Sequence, residues 1–133
     1  MNRVLIDTNV YSRGLVGDPW SKDILRQSEE LLMCPIVAGE LFSGFKNGSR
    51  NSHNRSIFQK FLASPRVTVI SMALETSEFY SVVLEQLRNQ GTPIPTNDIW
   101  IAACAMEHGA HLATTDNHFR HIKGLLAVFP EES

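Results

Sequence analysis

Short apolar segments alternate with longer segments of helical periodicity along the chain. Five short segments rich in Val, Leu and Ile predict β-strands, and they lie at 4–6, 31–34, 67–70, 111–115 and 125–129. Five segments with apolar residues at helical spacing predict helices, and they lie at 20–30, 35–45, 54–64, 73–90 and 95–106. This order favours a three-layer α/β/α fold, in which helices cover both faces of a mostly parallel sheet of four to five strands.

The composition is typical of one globular domain. The chain has 133 residues, of which 43% are hydrophobic and 20% charged, so we expect a single domain over residues 1–133. No apolar run approaches the roughly 20 residues of a membrane-spanning helix, and the N-terminus lacks the pattern of a secretion signal. Cys34 and Cys104 lie among apolar residues without a C-x-x-C pattern, which favours buried reduced thiols. We therefore expect a soluble cytoplasmic protein with no membrane association.

Four acidic residues lie where acids are costly or where parallel strands end. Asp7 and Asp116 directly follow the first and fourth predicted strands, so both are expected at the same edge of the sheet. Glu40 falls at the edge of the apolar arc of its helix, and Asp98 lies on the small-residue side of a helix that is apolar nearly all round. Each acid alone could cap a helix or be partly solvated.

The four acids together suggest a metal site. Converging carboxylates repel one another, and burial adds a further cost for each charge. A cation offsets this cost, and carboxylate oxygens suit Mg²⁺ or Mn²⁺. None of the five histidines pairs with a cysteine or another histidine at the spacing of a zinc site, so zinc is not expected.

Four segments, LIDTNV, VAGELFSGF, TNDIWIAACAMEHGAHLAT and TTDNHF, resemble the PIN-domain nucleases, and among them the small VapC-type toxins of toxin–antitoxin pairs. The resemblance runs from Val4 to about Phe129. It implies metal ligands and catalytic acids at the four acidic positions, with the first and third as the most direct ligands: Asp7, Glu40, Asp98 and Asp116. It also implies that three polar residues hold the acids or nearby water in place: Thr8, Asn9 and Thr114.

The implied reaction is hydrolysis of RNA phosphodiesters by a water activated by one or two Mg²⁺ or Mn²⁺ ions, which leaves a 5′-phosphate and a 3′-hydroxyl. The resemblance also implies inhibition by a cognate VapB-type antitoxin, whose C-terminal segment lies in an apolar groove near the acids, and a homodimer. Four aromatic residues could line such a groove or belong to the core: Tyr11, Trp20, Phe42 and Phe45.

The basic residues are unevenly distributed although the net charge is −2. The span from Leu41 to Leu74 has no acidic residue. It is a candidate for phosphate contacts, although its polar residues could equally form a solvated loop and helix start. The basic residues of this span are Lys46, Arg50, Arg55, Lys60 and Arg66, and two possible helpers near strand ends are Arg13 and Arg120.

Other functions were weighed against this interpretation. A phosphatase of the haloacid-dehalogenase type needs an acid two residues after its nucleophile, but Asn9 follows Asp7 at that position. A receiver domain needs an aspartate after the third strand, where Ser71 stands. A PIN nuclease that processes RNA or cleaves DNA remains open. So does a non-catalytic PIN module that binds RNA or protein.

Overall fold

The structure is a computed structural model, and it describes residues 2–130. Its centre is a five-stranded sheet in the order β3-β2-β1-β4-β5. Every pair of neighbouring strands is parallel. The strands are β1 Arg3–Ile6, β2 Glu30–Met33, β3 Val67–Val69, β4 His111–Ala113 and β5 Ala127–Val128.

Six α-helices and one 3₁₀ helix connect the strands within the described residues. They are α1 Thr8–Leu15, α2 Pro19–Gln27, α3 Pro35–Asn47, α4 Asn51–Leu62, α5 Leu74–Gln90, α6 Thr96–Glu107 and the 3₁₀ helix Asn117–His121. Parallel strands joined by helices follow right-handed crossovers. The chain runs outward from β1 through β2 to β3 and then returns to β4 on the other side of β1, so right-handed crossovers in the two directions place helices on opposite faces of the sheet. The three-layer α/β/α fold expected from the sequence is confirmed.

The central strand is buried on both faces, as parallel sheets require. Val4, Leu5 and Ile6 are fully buried, and β1 pairs with β2 on one side and β4 on the other. Adjacent strands β1 and β4 lead to helices on opposite faces of the sheet. In open parallel sheets, ligands bind outside the carboxyl ends of the strands at such a switch point. The fold therefore directs attention to the residues that follow β1 and β4.

Some predicted boundaries were wrong. The predicted helix 20–30 ends at Gln27, because the backbone of Ser28 is extended and Glu30 pairs with Arg3 in the sheet. The predicted helix 54–64 begins earlier, at Asn51. The predicted strands 111–115 and 125–129 are shorter, as the bounds of β4 and β5 show.

Two other expectations concern the cysteines and the membrane. Cys34 and Cys104 are both buried and free, as expected, with their Sγ atoms 3.4 Å apart. No helix within residues 2–130 combines the length and the apolar character that crossing a membrane requires.

Candidate active site

The four predicted acids come together at the carboxyl edge of the sheet. Asp7 follows β1, and its backbone N–H continues the pairing with β4 by donating to the carbonyl of Ala113, at 3.0 Å. Asp116 follows β4 after a two-residue turn. Glu40 lies in the second turn of α3 and Asp98 in the first turn of α6. Four separate stretches of chain therefore supply one acid each.

Two threonine hydroxyl groups hold Asp7 and Glu40. The Thr114 hydroxyl donates to Oδ2 of Asp7 at 2.7 Å, and the Thr8 backbone N–H donates to Oδ1 at 2.8 Å. The Thr8 hydroxyl donates to Oε1 of Glu40 at 2.6 Å. Distances this short are typical of hydroxyl groups bonded to ionised carboxylates. Thr8 thus contacts both acids, and it lies between them.

An imidazole holds the other two acids. The Nδ1 atom of His118 lies 3.0 Å from Oδ2 of Asp98 and 3.1 Å from Oδ1 of Asp116. The carboxylate of Asp116 also accepts the backbone N–H of His118 at 2.9 Å and begins the 3₁₀ helix. The backbone N–H of Asp116 in turn donates to the Thr114 hydroxyl at 3.0 Å. Thr114 therefore links the two pairs of acids.

Burial and mutual repulsion perturb these groups. Asp7 is 6% exposed and Asp98 is 9% exposed. Burial raises the pKa of Asp7, and the nearby charges of Glu40 and Asp116 raise it further, although hydrogen bonds from Thr114 and Thr8 oppose the shift. Burial likewise raises the pKa of Asp98, and the hydrogen bond from His118 opposes it. The pKa of His118 is raised, chiefly by its hydrogen bond to Asp98. Burial is the largest cause of both carboxyl shifts and repulsion between the acids adds to it, and a bound cation would favour the ionised carboxylates against both.

The donor set fits a hard divalent cation. One ligand atom each from Asp98, Asp116 and His118 lie within 4.8 Å of one another. The charge of Asp7 raises the pKa of Asp98, and the charge of Glu40 raises the pKa of Asp7. All four acids are therefore close enough to interact electrostatically. Carboxylate oxygens are the ligands that Mg²⁺ and Mn²⁺ prefer in proteins.

The polar residues that contact the acids differ from the predicted set. Thr8 and Thr114 contact the acids, whereas the side chain of Asn9 is exposed in the first turn of α1. Asn97 instead donates a long hydrogen bond to Oε2 of Glu40, at 3.4 Å. Sequence reasoning assigned no role to Asn97 or His118. Their one sequence signal was closeness to a predicted acid, since Asn97 precedes Asp98 and His118 follows Asp116 by two positions.

An open groove of about 520 Å³ begins beside Glu40 and runs between α1, α3 and α4. Tyr11 and Phe45 line it, and Arg50 lies on its wall. The Tyr11 hydroxyl has no hydrogen-bond partner among residues 2–130, and burial raises its pKa to about 12. All four aromatic residues considered for this groove also belong to the core or pack against it: Tyr11 is fully buried in the core, and Trp20, Phe42 and Phe45 pack against it.

The predicted phosphate-contacting residues are spread over the surface. Arg55 lies over the ring of Phe42, with 4.5 Å from its guanidinium carbon to the ring centroid. Arg120 lies over the ring of Phe129 at 3.8 Å in the same measure, and it donates to Asn117. Arg13 and Lys46 are exposed in the last turns of α1 and α3.

Arg66, the last basic residue of the predicted span, lies at the other edge of the sheet. It donates to the backbone carbonyls of Ser28 and Leu25, just before β3 begins. Arg66 therefore connects the amino end of β3 to the end of α2. The acids lie at the carboxyl edge of the sheet, so Arg66 is at the edge away from them.

A model of the PIN domain family matches residues 4–125, and the chain belongs to this family. The ribonuclease VapC2 of Rickettsia felis is 25% identical over 127 residues, which cover 92% of this chain and 93% of that protein. The ribonuclease VapC4 of Mycobacterium tuberculosis is 26% identical over 119 residues, which cover 90% of each chain. A chain in the crystal structure of VapBC2 from Rickettsia felis, bound to a promoter DNA fragment, has a TM-score of 0.83 at 21% identity, with 96% of this chain and 98% of that chain covered. The resemblance inferred from the sequence motifs is confirmed.

Proposed function

We propose that this chain is a metal-dependent endoribonuclease and the toxin of a VapB–VapC-type toxin–antitoxin pair. The observation that carries the proposal is the convergence of Asp7, Glu40, Asp98 and Asp116 at the switch point of the sheet. The relatives named as VapC ribonucleases support the choice of RNA as substrate.

The four acids would hold one or two Mg²⁺ or Mn²⁺ ions, with Asp7 and Asp98 as the most direct ligands. A divalent ion supplies positive charge that makes an attacking water more acidic and stabilises the leaving oxygen. The chain supplies the positions. Thr114 fixes the Asp7 carboxylate and Thr8 fixes Glu40, so neither acid loses rotamer freedom when a ligand arrives.

Basic side chains near the acids would bind the RNA backbone. Arg50 lies on the groove wall beside Glu40, and Arg120 lies in the 3₁₀ helix that follows Asp116. Phosphate contacts of this kind give affinity without sequence preference. Lys46, Arg55 and Arg13 are further candidates on the surrounding helices.

The groove is the proposed site for the antitoxin segment. Its lining is largely apolar, with Phe45 and Leu15 among its residues, and it ends at Glu40. A peptide with an apolar stretch and an arginine would satisfy the groove and the acids together. A homodimer and a cytoplasmic location complete the proposal.

The test is a cleavage assay on total cellular RNA with antitoxin-free protein. Reactions contain Mg²⁺, Mn²⁺ or EDTA, and the variant Asp98→Asn is assayed beside the unchanged chain. We expect discrete fragments that need the metal and disappear in the variant. Asp98 is one of the two proposed direct ligands, and it is more buried than its neighbour Asp116. Mapping the 5′ ends of the fragments identifies the cleaved sites.

The matched control is Asp23→Asn, which changes an exposed acid on α2 and should leave cleavage intact. Equal cleavage by the unchanged chain and Asp98→Asn would contradict the site assignment. Absence of cleavage by a folded protein under every condition would instead favour the non-catalytic PIN module.

A further inference from the structure

His118 is the one side chain at the acid cluster that brings a nitrogen ligand within hydrogen-bond distance of two of the acids in the described structure. We propose that the His118 imidazole is a direct metal ligand and makes the site prefer Mn²⁺ over Mg²⁺. This inference rests on the proposed metal-dependent function and deepens it.

The position of His118 is fixed before any metal arrives. The 3₁₀ helix that carries it begins with the hydrogen bond from its own backbone N–H to Asp116. The next residue, Phe119, is 1% exposed in the core, and Ile122 is 5% exposed. These two apolar anchors hold the helix against the domain, so the imidazole has little freedom to leave the acids.

The distances match those between neighbouring metal ligands. Ligands at about 2.1 Å from a six-coordinate ion are about 3.0 Å from their neighbours. The Nδ1 atom of His118 lies 3.0 and 3.1 Å from the nearest oxygens of Asp98 and Asp116. The same distances suit hydrogen bonds from a protonated imidazole, so an ion would take the place of the Nδ1 proton. Since all three ligand atoms lie within 4.8 Å of one another, this exchange would require little movement of the helix. The imidazole is also 47% exposed, which leaves room for water or a phosphate oxygen on its open side.

An imidazole ligand changes which metal the site favours. Mg²⁺ binds oxygen ligands almost exclusively, whereas nitrogen ligands raise the affinity for first-row transition metals. Replacing the nitrogen by an amide oxygen should therefore weaken Mn²⁺ binding more than Mg²⁺ binding. The variant His118→Asn makes this replacement with little change in side-chain reach.

The experiment measures metal binding on the full chain without RNA. Mn²⁺ is added to the metal-free protein, and pulsed electron paramagnetic resonance records coupling between Mn²⁺ and ¹⁴N. Titrations of Mn²⁺ and Mg²⁺ give the two dissociation constants. We expect ¹⁴N coupling in the unchanged chain and none in His118→Asn, together with a loss of at least about tenfold in the preference for Mn²⁺ over Mg²⁺. The control His121→Asn, an exposed histidine at the end of the same 3₁₀ helix, should retain the coupling.

Two results would overturn the inference and leave the nuclease proposal standing. One is Mn²⁺ bound by the four acids without ¹⁴N coupling. The other is equal or tighter Mn²⁺ binding by His118→Asn, which would make the imidazole a competitor that the metal displaces. Binding of Mg²⁺ but not of Mn²⁺ by the unchanged chain would likewise overturn the inference alone, whereas failure to bind either metal would overturn the proposed metal-dependent function and this inference with it.

Discussion

The two halves of the acid cluster hold their negative charge in different ways. The hydroxyl-held half, Asp7 and Glu40, is fixed by the neutral donors of Thr8 and Thr114. Neither acid has an ion pair within residues 2–130. The imidazole-held half, Asp98 and Asp116, shares a single histidine. Hydroxyl groups orient a carboxylate but do not neutralise it, so the hydroxyl-held half depends more on a cation from solution.

The largest expected effect comes from neutralising the hydroxyl-held half. Asp7→Asn should lower metal-dependent RNA cleavage by more than about 100-fold, because a direct ligand should matter more than the outer contacts that cost 10- to 100-fold. Asp7 also caps α1 by accepting from the Thr8 backbone N–H, and although Asn caps helices about as well as Asp, a weakened cap is the competing explanation.

The control for that explanation is Asp18→Asn. Asp18 caps α2 by accepting from the Ser21 backbone N–H, so it has the same structural role without the acidic neighbours. Cleavage rates and the free energies of unfolding of both variants are compared. If Asp18→Asn reduced cleavage as much as Asp7→Asn, the effect would come from capping, and the site assignment would be wrong.

The next largest effect tests the link between the halves. Thr114 donates to Asp7 and accepts from the backbone of Asp116, and its side chain is fully buried. Thr114→Val keeps the shape and removes both hydrogen bonds, so cleavage should fall by about 10- to 100-fold and Mn²⁺ affinity should fall with it. Thr114→Ser keeps the hydroxyl and should restore most of both. A value for Thr114→Ser as low as that for Thr114→Val would mean that packing, rather than the hydroxyl, sets the activity.

The stability of the metal-free protein should depend on pH, and the carboxyl groups and His118 should contribute to that dependence in different pH ranges. A group whose pKa is raised in the folded state stabilises the fold below its ordinary pKa, and this stabilisation is lost as the pH rises. The ordinary values are 3.8 for Asp7 and Asp98 and 6.5 for His118, and all three are raised. Asp18 and Glu30 have lowered pKa values and ordinary values of 3.8 and 4.5. Their stabilisation is complete above those values and is lost only as the pH falls below them, so it does not oppose the fall at higher pH. Stability should therefore fall as the pH rises above the ordinary carboxyl value of 3.8, and His118 should extend the fall above pH 6.5.

Thermal unfolding in EDTA from about pH 5 to pH 8 measures the fall as a decrease in Tm. His118→Asn should flatten the part of the curve above pH 6.5, because the histidine that titrates there is gone. Added Mn²⁺ should raise Tm most at pH 8, where the acids are most fully charged. A metal-free Tm that rises from pH 5 to pH 8 would contradict the assigned directions of the shifts.

The acids could be found from the sequence because strand ends have a fixed geometry. Asp7 directly follows β1 and Asp116 follows β4 after two residues, and parallel strands bring such residues to one edge. Glu40 and Asp98 stood out because an acid within an apolar helical face needs a partner. These four positions required only the period of each element and the direction of the strands.

His118 could not be found in the same way. Its position depends on a 3₁₀ helix that starts from a side-chain contact of Asp116, and no hydrophobic period indicates such a turn. For a similar reason, the sequence did not reveal that the basic residues of the predicted span lie on different parts of the molecule. Arg66 and Arg50 belong to the same stretch of sequence. Arg66 comes just before β3, however, and so lies at the amino edge of the sheet, where it donates to the backbone carbonyls of Leu25 and Ser28 at the end of α2.

The smallest expected effect concerns the charge around the hydroxyl-held half. Arg50 lies on the groove wall beside Glu40, so Arg50→Gln should weaken RNA binding a few-fold and lower the slope of log affinity against log salt by about one. Lys60→Gln removes an equal charge from the last turn of α4 and should change neither quantity. Both substitutions are made in the Asp98→Asn background, which should not cleave RNA, and the affinities for RNA are measured over a range of salt concentrations. An equal loss in both variants would mean that RNA senses only the net charge of the surface, and that the groove beside Glu40 has no special part in holding the phosphates.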